Sequence, residues 1–161
     1  MTVILIDGVC LGGGYEMALA FDYIIGIDHP SCQVGFPEIN LGLLPGYGGS
    51  GRAFARMGLE AALKMVLHGK PVRANDALST GALDHLVADR NALTNAARIA
   101  LGGGIERAIA VDCADPDALI AAERAGIEAR TRPENTPAPF AILDHYSHKD
   151  MNKDNIIERE T

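Results

Sequence analysis

Two short apolar runs and the glycine triplet between them most constrain how this chain can fold. Val3–Ile6 and Tyr23–Ile27 are continuous, apolar and rich in branched residues, which predicts two buried strands. Gly12, Gly13 and Gly14 predict a turn that leads into a short helix over residues 15–21. Strands buried on both faces belong to sheets covered by helices or by another sheet, so the pattern predicts an α/β fold.

Helices dominate the remainder of the predicted structure. Residues 37–50 contain two prolines and four glycines and predict a loop after a brief third strand over 33–36. Helical spacing and glycine stops predict further helices over 50–57, 59–68, 73–78, 91–101 and 116–129. Ser50 is expected to cap the first of them and Asp115 the last. A short strand is predicted over 83–87. We expect Pro133, Pro137 and Pro139 to break regular structure and residues 140–161 to form a polar, partly frayed tail.

Composition excludes several classes of protein. The chain has 161 residues, enough for one domain with a core, and its charge of -7 comes with scattered rather than clustered basic residues, which argues against nucleic-acid binding. No apolar run predicts a membrane span, and no signal peptide is recognisable. We therefore expect a cytoplasmic protein, or a mitochondrial matrix protein if a targeting segment is missing.

The cysteines and the last histidines predict no metal site. Cys10, Cys32 and Cys113 are far apart and form no CxxC pair, so three reduced thiols are expected. His145 and His148 would share a helix face and could bind a metal, but a solvated polar tail is favoured over that alternative.

The first glycine turn has the residues needed to stabilise an oxyanion. The start of a helix offers unsatisfied N–H groups, and the N–H of Gly13 is the best candidate to donate to a carbonyl oxygen. Glu16 follows on the first turn of the predicted helix. The alternative is an ordinary tight turn followed by a glutamate that favours a helix N-terminus.

A second carboxylate stands in apolar surroundings. Glu38 follows Pro37 and precedes Ile39, and such surroundings raise the pKa of a carboxyl group, which suits a general acid near neutral pH. The alternative is a solvent-facing loop acid. Glu16 and Glu38 are 22 residues apart (38 − 16) with one strand between them, so the chain can return both to one end of the sheet.

The second glycine-rich loop contains a formal dinucleotide fingerprint, with glycines at 46, 48 and 51. Pro45 interrupts the strand that should lead into it, and Lys70 and Pro71 stand where an acidic residue should contact a ribose. We therefore expect no nicotinamide or flavin cofactor.

Residues 6–22 and 35–49 resemble the two signature segments of the enoyl-CoA hydratase/isomerase (crotonase) superfamily, and the helices up to residue 87 continue the match. The resemblance covers residues 2–88 in order, so we expect a crotonase core segment over 1–88 and a helical region with a polar tail over 89–161. It implies a spiral of ββα units, assembly as homo-trimers or hexamers, and an acyl-CoA thioester as substrate with no other cofactor.

The resemblance also implies roles for the glycines and the two acids. Gly13 matches one of two N–H donors to the thioester oxygen, and Gly14 and Gly46 belong to the same substrate-binding turns. Glu16 matches the acid that activates water, and Glu38 matches the acid that exchanges a proton with the substrate. Having both favours hydration of a 2-enoyl-CoA; the alternatives are an acyl-CoA isomerase or hydrolase, and a non-catalytic remnant or assembly partner.

Three features depart from the family pattern. The family domain has a long N-terminal half before this first strand, which supplies the other N–H donor, and here the chain begins almost on the strand. We therefore expect that half to be lacking and the activity to be impaired. Two extra residues lie between the two acids, and Tyr15 is bulkier than the residue usual there, so it is expected to shorten the acyl pocket.

Overall fold

The computed structural model describes residues 1–111 and 113–147. Within them the chain forms six short strands, namely β1 (Val3–Ile6), β2 (Val9–Leu11), β3 (Tyr23–Ile27), β4 (Gln33–Gly35), β5 (Val72–Arg73) and β6 (His85–Val87). It also forms seven helices, namely α1 (Gly13–Ala18), α2 (Gly49–Met57), α3 (Leu59–His68), α4 (Ala74–Ser79), α5 (Arg90–Leu101), α6 (Pro116–Glu128) and α7 (Pro137–Ser147). A 3-10 turn covers Glu38–Leu41.

The strands form two three-stranded sheets that the chain visits alternately. β1, β3 and β6 pair in parallel, with Val3 opposite Tyr23 and Ile25 opposite His85. In the second sheet β4 pairs in parallel with β2 and antiparallel with β5. The order β1-β2-α1 followed by β3-β4-α2 therefore places the first strand of each unit in one sheet and the second strand in the other. This is the predicted ββα spiral.

The core lies between the parallel sheet and the helices. β3 is buried at every position, because α5 packs on one side of it and the interior of the domain lies on the other. α2 packs on both α1 and α3, while α6 and α7 pack on each other and α7 reaches α3. The C-terminal helices thus extend the same packed body rather than standing apart from it.

One buried ion pair joins the helices to the sheet. The guanidinium of Arg56 on α2 contacts the carboxylate of Asp84, and both side chains are almost fully buried. Asp84 also accepts the N–H of Ile24 on β3 at 2.7 Å and the N–H of Ala108 at 2.9 Å. Because these donors satisfy the remaining oxygen positions, the pair can be buried without an uncompensated charge.

The predicted elements agree with the structure except at particular points. α1 spans Gly13–Ala18 rather than residues 15–21, and β2 was not predicted. The residue before α2 is Gly48 and the helix has no side-chain cap, so the capping role predicted for Ser50 is wrong. Asp115 does cap α6, where its carboxylate accepts the N–H of Ala118 at 2.9 Å.

The largest error concerns the C-terminal prolines. Pro137 begins α7 instead of breaking regular structure, because proline is tolerated in the first turn of a helix, where its missing N–H has no partner to lose. α7 buries Phe140, Leu143 and Tyr146, and the Tyr146 hydroxyl donates to the carbonyl of Ser50 at 2.9 Å. The predicted polar tail is therefore wrong for residues 140–147. The remainder of that tail, with His148, lies outside the described residues.

Candidate active site

The first glycine turn is shaped by the close approach of Glu38. Gly12 has a φ of 55°, a conformation that favours glycine, and its N–H donates to the carbonyl of Gly35 at 2.9 Å. A Cβ on Gly12 would lie 2.9 Å from Oε1 of Glu38. Only a residue without a side chain therefore allows this carboxylate to lie against the turn.

Glu16 is held by the second glycine-rich loop. It lies on α1 with 2% of its surface exposed, and Oε1 accepts the N–H of Tyr47 at 2.8 Å and of Gly49 at 3.0 Å. A Cβ on Gly49 would lie 2.5 Å from the same oxygen. Oε2 lies 4.0 Å from the Cβ position of Gly13. One oxygen is thus anchored on the second loop while the other faces the first turn.

Glu38 lies in the 3-10 turn with one carboxylate oxygen, Oε2, buried and without a hydrogen-bond partner among the described residues. Burial raises the pKa of the Glu38 carboxyl above its ordinary value. A hydrogen bond from its own backbone opposes this shift, and the negative charge of Glu16 adds to it. A raised pKa is the direction of shift that suits a carboxyl group for donating a proton.

The structure thus brings Glu16, Glu38 and Gly13 together at one turn. Gly13 and Gly14 occupy the first two positions of α1 and are exposed. Their N–H groups have no partner among residues 1–111 and 113–147, as expected for the start of a helix. Gly46 is exposed one residue before Tyr47, with nothing within 4 Å of its Cβ position, so no described contact joins it to the carboxylates.

Sequence reasoning missed the residues that position the acids. Gly12 and Gly49 provide the space that the two carboxylates occupy, and Arg52 supports the second loop by donating to the carbonyl of Tyr47 at 2.5 Å. The only signal in the sequence was the repetition of glycine in each loop. Gly12 lies 26 residues from Glu38 in the sequence, and Gly49 lies 33 residues from Glu16. The pairing of each glycine with its carboxylate therefore depends on contacts between distant segments.

Tyr15 does not shape a substrate pocket, contrary to the sequence-based expectation. Its side chain is fully buried, its hydroxyl donates to the carbonyl of Ala82 at 2.9 Å, and its ring lies 5.3 Å from that of Phe36. α1 turns this residue away from the carboxylates and into the core, because positions 15 and 16 lie on different faces of the helix.

Apolar side chains lie exposed beside the carboxylates. Leu41, Leu43 and Tyr47, all in the chain between Glu38 and Gly49, have 76%, 55% and 78% of their surface exposed. Met17, next to Glu16, has 59% exposed. The exposed apolar area of these side chains is available to be covered by a ligand or by another polypeptide.

Metal-binding side-chain clusters and membrane-spanning helices are both lacking from the described residues. No group of three or more His, Cys, Asp or Glu side chains within them could hold a metal ion. None of the described helices combines the length and the apolar character needed to cross a membrane.

The comparison with protein families agrees with the fold and with the glycine turns. A profile of the enoyl-CoA hydratase/isomerase family matches residues 1–102. The chain belongs to the enoyl-CoA hydratase/isomerase family. The match extends through α5, so it includes both sheets and both candidate acids.

Curated relatives of this family member come from fatty-acid oxidation proteins. The chain is 43% identical over 100 residues to the peroxisomal fatty acid beta-oxidation multifunctional protein MFP2 of Arabidopsis thaliana. The aligned region covers 62% of this chain and 14% of that protein. It is also 43% identical over 102 residues to the fatty acid oxidation complex subunit alpha of Shewanella loihica, covering 63% and 14%. The chain thus spans only a small part of these relatives.

Solved structures support the crotonase-type fold over most of the chain. An enoyl-CoA hydratase subunit I from Geobacillus kaustophilus has a TM-score of 0.53 at 26% identity, covering 86% of this chain and 49% of that one. An enoyl-CoA hydratase from Mycobacterium avium has a TM-score of 0.56 at 22% identity, covering 95% and 55%. The chain therefore spans about half the length of these structures.

Proposed function

We propose that this chain carries the acid/base site of an enoyl-CoA hydratase, which adds water across the double bond of a 2-enoyl-CoA. The observation that supports the proposal most directly is that Glu16 and Glu38 both lie against the Gly12–Gly13 turn, although 22 residues separate them. Hydration moves two protons and develops negative charge on the thioester oxygen. A reaction of this kind needs two carboxyl groups beside an N–H donor.

Each group has a distinct role in the proposed reaction. The Gly13 N–H donates to the thioester oxygen and stabilises the negative charge that develops there. Glu16 takes one proton from a water molecule, whose oxygen bonds to C3 of the substrate. Glu38 gives its proton to C2, so the double bond is consumed and the product is a 3-hydroxyacyl-CoA. Glu16 then releases the proton that it gained to solvent, and Glu38 takes one up from solvent, so both groups return to their starting states.

The environments of the two acids fit these roles. Glu16 has one oxygen fixed by two backbone N–H groups, which orients the other oxygen toward the turn. Burial raises the pKa of the Glu38 carboxyl above its ordinary value, a shift in the direction that suits a proton donor. We therefore assign the base to the fixed Glu16 and the acid to Glu38, the two roles that general acid/base catalysis requires.

The test is an assay of the purified chain with a short 2-enoyl-CoA. Hydration is measured as the loss of the conjugated thioester absorbance, and the product is then identified. We expect Glu16→Gln and Glu38→Gln each to remove most of the rate. Glu134→Gln changes an exposed glutamate outside both glycine-rich loops and should leave the rate unchanged. Turnover that survives both site substitutions would show that the acids are wrongly assigned. Product analysis also separates hydration from isomerisation or thioester hydrolysis.

A second candidate function is that of an assembly partner, and the exposed apolar residues of the second loop favour it. Leu41, Leu43 and Tyr47 would gain free energy on being covered by another polypeptide, whether a further copy in a homo-trimer or hexamer or a different chain. In this case the chain alone binds acyl-CoA weakly and turns over none of it. Sedimentation with and without acyl-CoA, combined with the assay above, distinguishes a partner from an enzyme active by itself.

A further inference from the structure

A small cavity lined by arginines lies beside α2. Its volume is about 270 Å³, and it opens between the end of α1, α2 and the segment that precedes α6. The lining residues are Leu19, Ala20, Arg52, Ala55, Arg56 and Arg107. Three of these six residues are arginines, and none carries a carboxylate, in a chain whose net charge is -7. We call this feature the arginine cavity.

The positive charge of the arginine cavity is only partly neutralised. Arg56 is paired with Asp84, but its Nε is buried without a hydrogen-bond partner among the described residues. Arg52 donates to the carbonyls of Tyr47 and Glu16, which carry no net charge. Arg107 is exposed and makes no hydrogen bond or ion pair with any residue in the described part of the chain. Two guanidinium charges therefore lack a carboxylate partner.

The guanidinium groups of Arg56 and Arg107 also act on each other. Burial lowers the pKa of Arg56, Asp84 opposes this, and the charge of Arg107 lowers it further. An anion placed between like charges removes such repulsion and gains the attraction of each guanidinium. Guanidinium groups present planar sets of N–H donors that match the oxygen atoms of a phosphoryl group, so phosphate is the anion that such a cavity suits best.

We propose that the arginine cavity binds the phosphoryl group of a small ligand, at a site separate from the carboxylates of the proposed hydratase. Arg52 and Arg107 supply N–H donors to the phosphoryl oxygens, and Arg56, held in place by Asp84, forms part of the wall. The volume is sufficient for a phosphate group but not for a large ligand body, which would project into solvent.

The bound phosphoryl group would be sensed at the second glycine-rich loop. Arg52 connects the cavity to the carbonyl of Tyr47, and the N–H of Tyr47 donates to Glu16 at 2.8 Å. A ligand that draws Arg52 toward the cavity changes the hydrogen bonding of this loop. The backbone amides of Tyr47 and Gly49 are therefore reporters of binding that require no enzymatic activity.

The experiment is a titration of the full chain with inorganic phosphate at constant ionic strength. Binding is measured by calorimetry and by the amide NMR signals of Tyr47 and Gly49. We expect saturable binding with one site. Arg107→Ala should weaken it by about tenfold or more, because a charge-assisted hydrogen bond is lost. Arg98→Ala, which removes an exposed guanidinium from α5, is the matched control and should leave binding unchanged. Circular dichroism checks that both variants fold.

A parallel titration with AMP identifies the source of the phosphoryl group. Tighter binding of AMP than of inorganic phosphate supports the proposal with a phosphate ester as ligand, and equal or weaker binding supports it with free phosphate. The proposal is overturned if neither ligand binds saturably, or if Arg98→Ala weakens binding as much as Arg107→Ala does. Because the readouts are heat and amide shifts, failure of this proposal and failure of the hydratase proposal are distinguishable.

Discussion

The N–H of Gly49 donates to Oε1 of Glu16 at 3.0 Å, and this bond joins the two glycine-rich loops of the molecule. Gly49, the donor, begins α2, and Glu16, the acceptor, lies on α1. A Cβ on Gly49 would approach Cγ and Oε1 of Glu16 to 2.5 Å. The absence of a side chain at position 49 therefore determines where the buried carboxylate can lie.

Replacing Gly49 tests this relationship directly. We expect Gly49→Ala to displace the Glu16 carboxylate and to lower kcat for enoyl-CoA hydration by about a hundredfold, the cost of misplacing a reacting group by about 1 Å. Overpacking should lower the free energy of unfolding by about 1–3 kcal/mol. Gly8→Ala is the control, because its Cβ position has nothing within 4 Å. Equal effects of the two substitutions would contradict the prediction.

The raised pKa of Glu38 predicts a dependence of stability on pH. The folded state holds this proton at pH values where the unfolded chain has released it, so stability falls as pH rises above the ordinary carboxyl pKa. We expect Glu38→Gln to raise Tm near neutral pH, and the gain to disappear as the pH falls to about 4, where the wild-type carboxyl is protonated in both states. Thermal melts across this range measure it.

A gain in Tm that stayed constant at every pH would show that the Glu38 carboxyl does not titrate abnormally. Glu134→Gln is the matched control, because this substitution removes the same charge from an exposed position. This test addresses the environment of Glu38 without requiring that the chain be active.

The buried pair of Arg56 and Asp84 is expected to be important for stability. Asp84→Ala leaves a buried guanidinium without its partner and removes the acceptor of two backbone N–H groups, so unfolding in urea should become easier by about 3–5 kcal/mol. Glu60→Ala breaks the exposed pair with Lys64 and should change stability by less than about 1 kcal/mol. Similar losses in the two variants would be inconsistent with a buried pair.

The position of Tyr15 predicts a structural effect without an effect on substrate choice. Tyr15→Phe removes the hydroxyl that donates to Ala82 and leaves that buried carbonyl unpaired, so stability should fall by about 1–3 kcal/mol. The relative kcat/KM for short and long 2-enoyl-CoA substrates should not change. A shift in preference toward longer acyl chains would place Tyr15 at the substrate after all.

Much of the fold could be predicted from local patterns. β1, β3 and α3 have the predicted bounds, since continuous apolar runs and a helical repeat ended by glycine are local signals. β2 escaped prediction because it has only three residues and Val9 is 65% exposed. α7 escaped prediction because its prolines indicate breaks in regular structure, whereas burial of Phe140, Leu143 and Tyr146 stabilises the helix.

The candidate site was predictable in its residue types but not in its geometry. Glu16, Glu38 and Gly13 were named from the glycine turns and from the family resemblance, and the structure brings them to one place. Their catalytic roles stay predictions, as do the substrate-binding roles of Gly14 and Gly46 and the division of the chain at residue 88. Gly12, Gly49 and Arg52 could not be found, because their importance arises only from contacts between distant segments.

The sequence by itself determined the α/β class, the glycine turns and the family to which the chain belongs, because apolar periodicity and glycine placement act over a few neighbouring residues. Only the tertiary structure decided that Glu16 is anchored on the second loop, that Glu38 has a buried oxygen, that Tyr15 faces the core and that three arginines line one cavity. Each of these depends on which distant segments pack together, and packing sets the burial and the electric field that give a carboxylate or a guanidinium its chemistry.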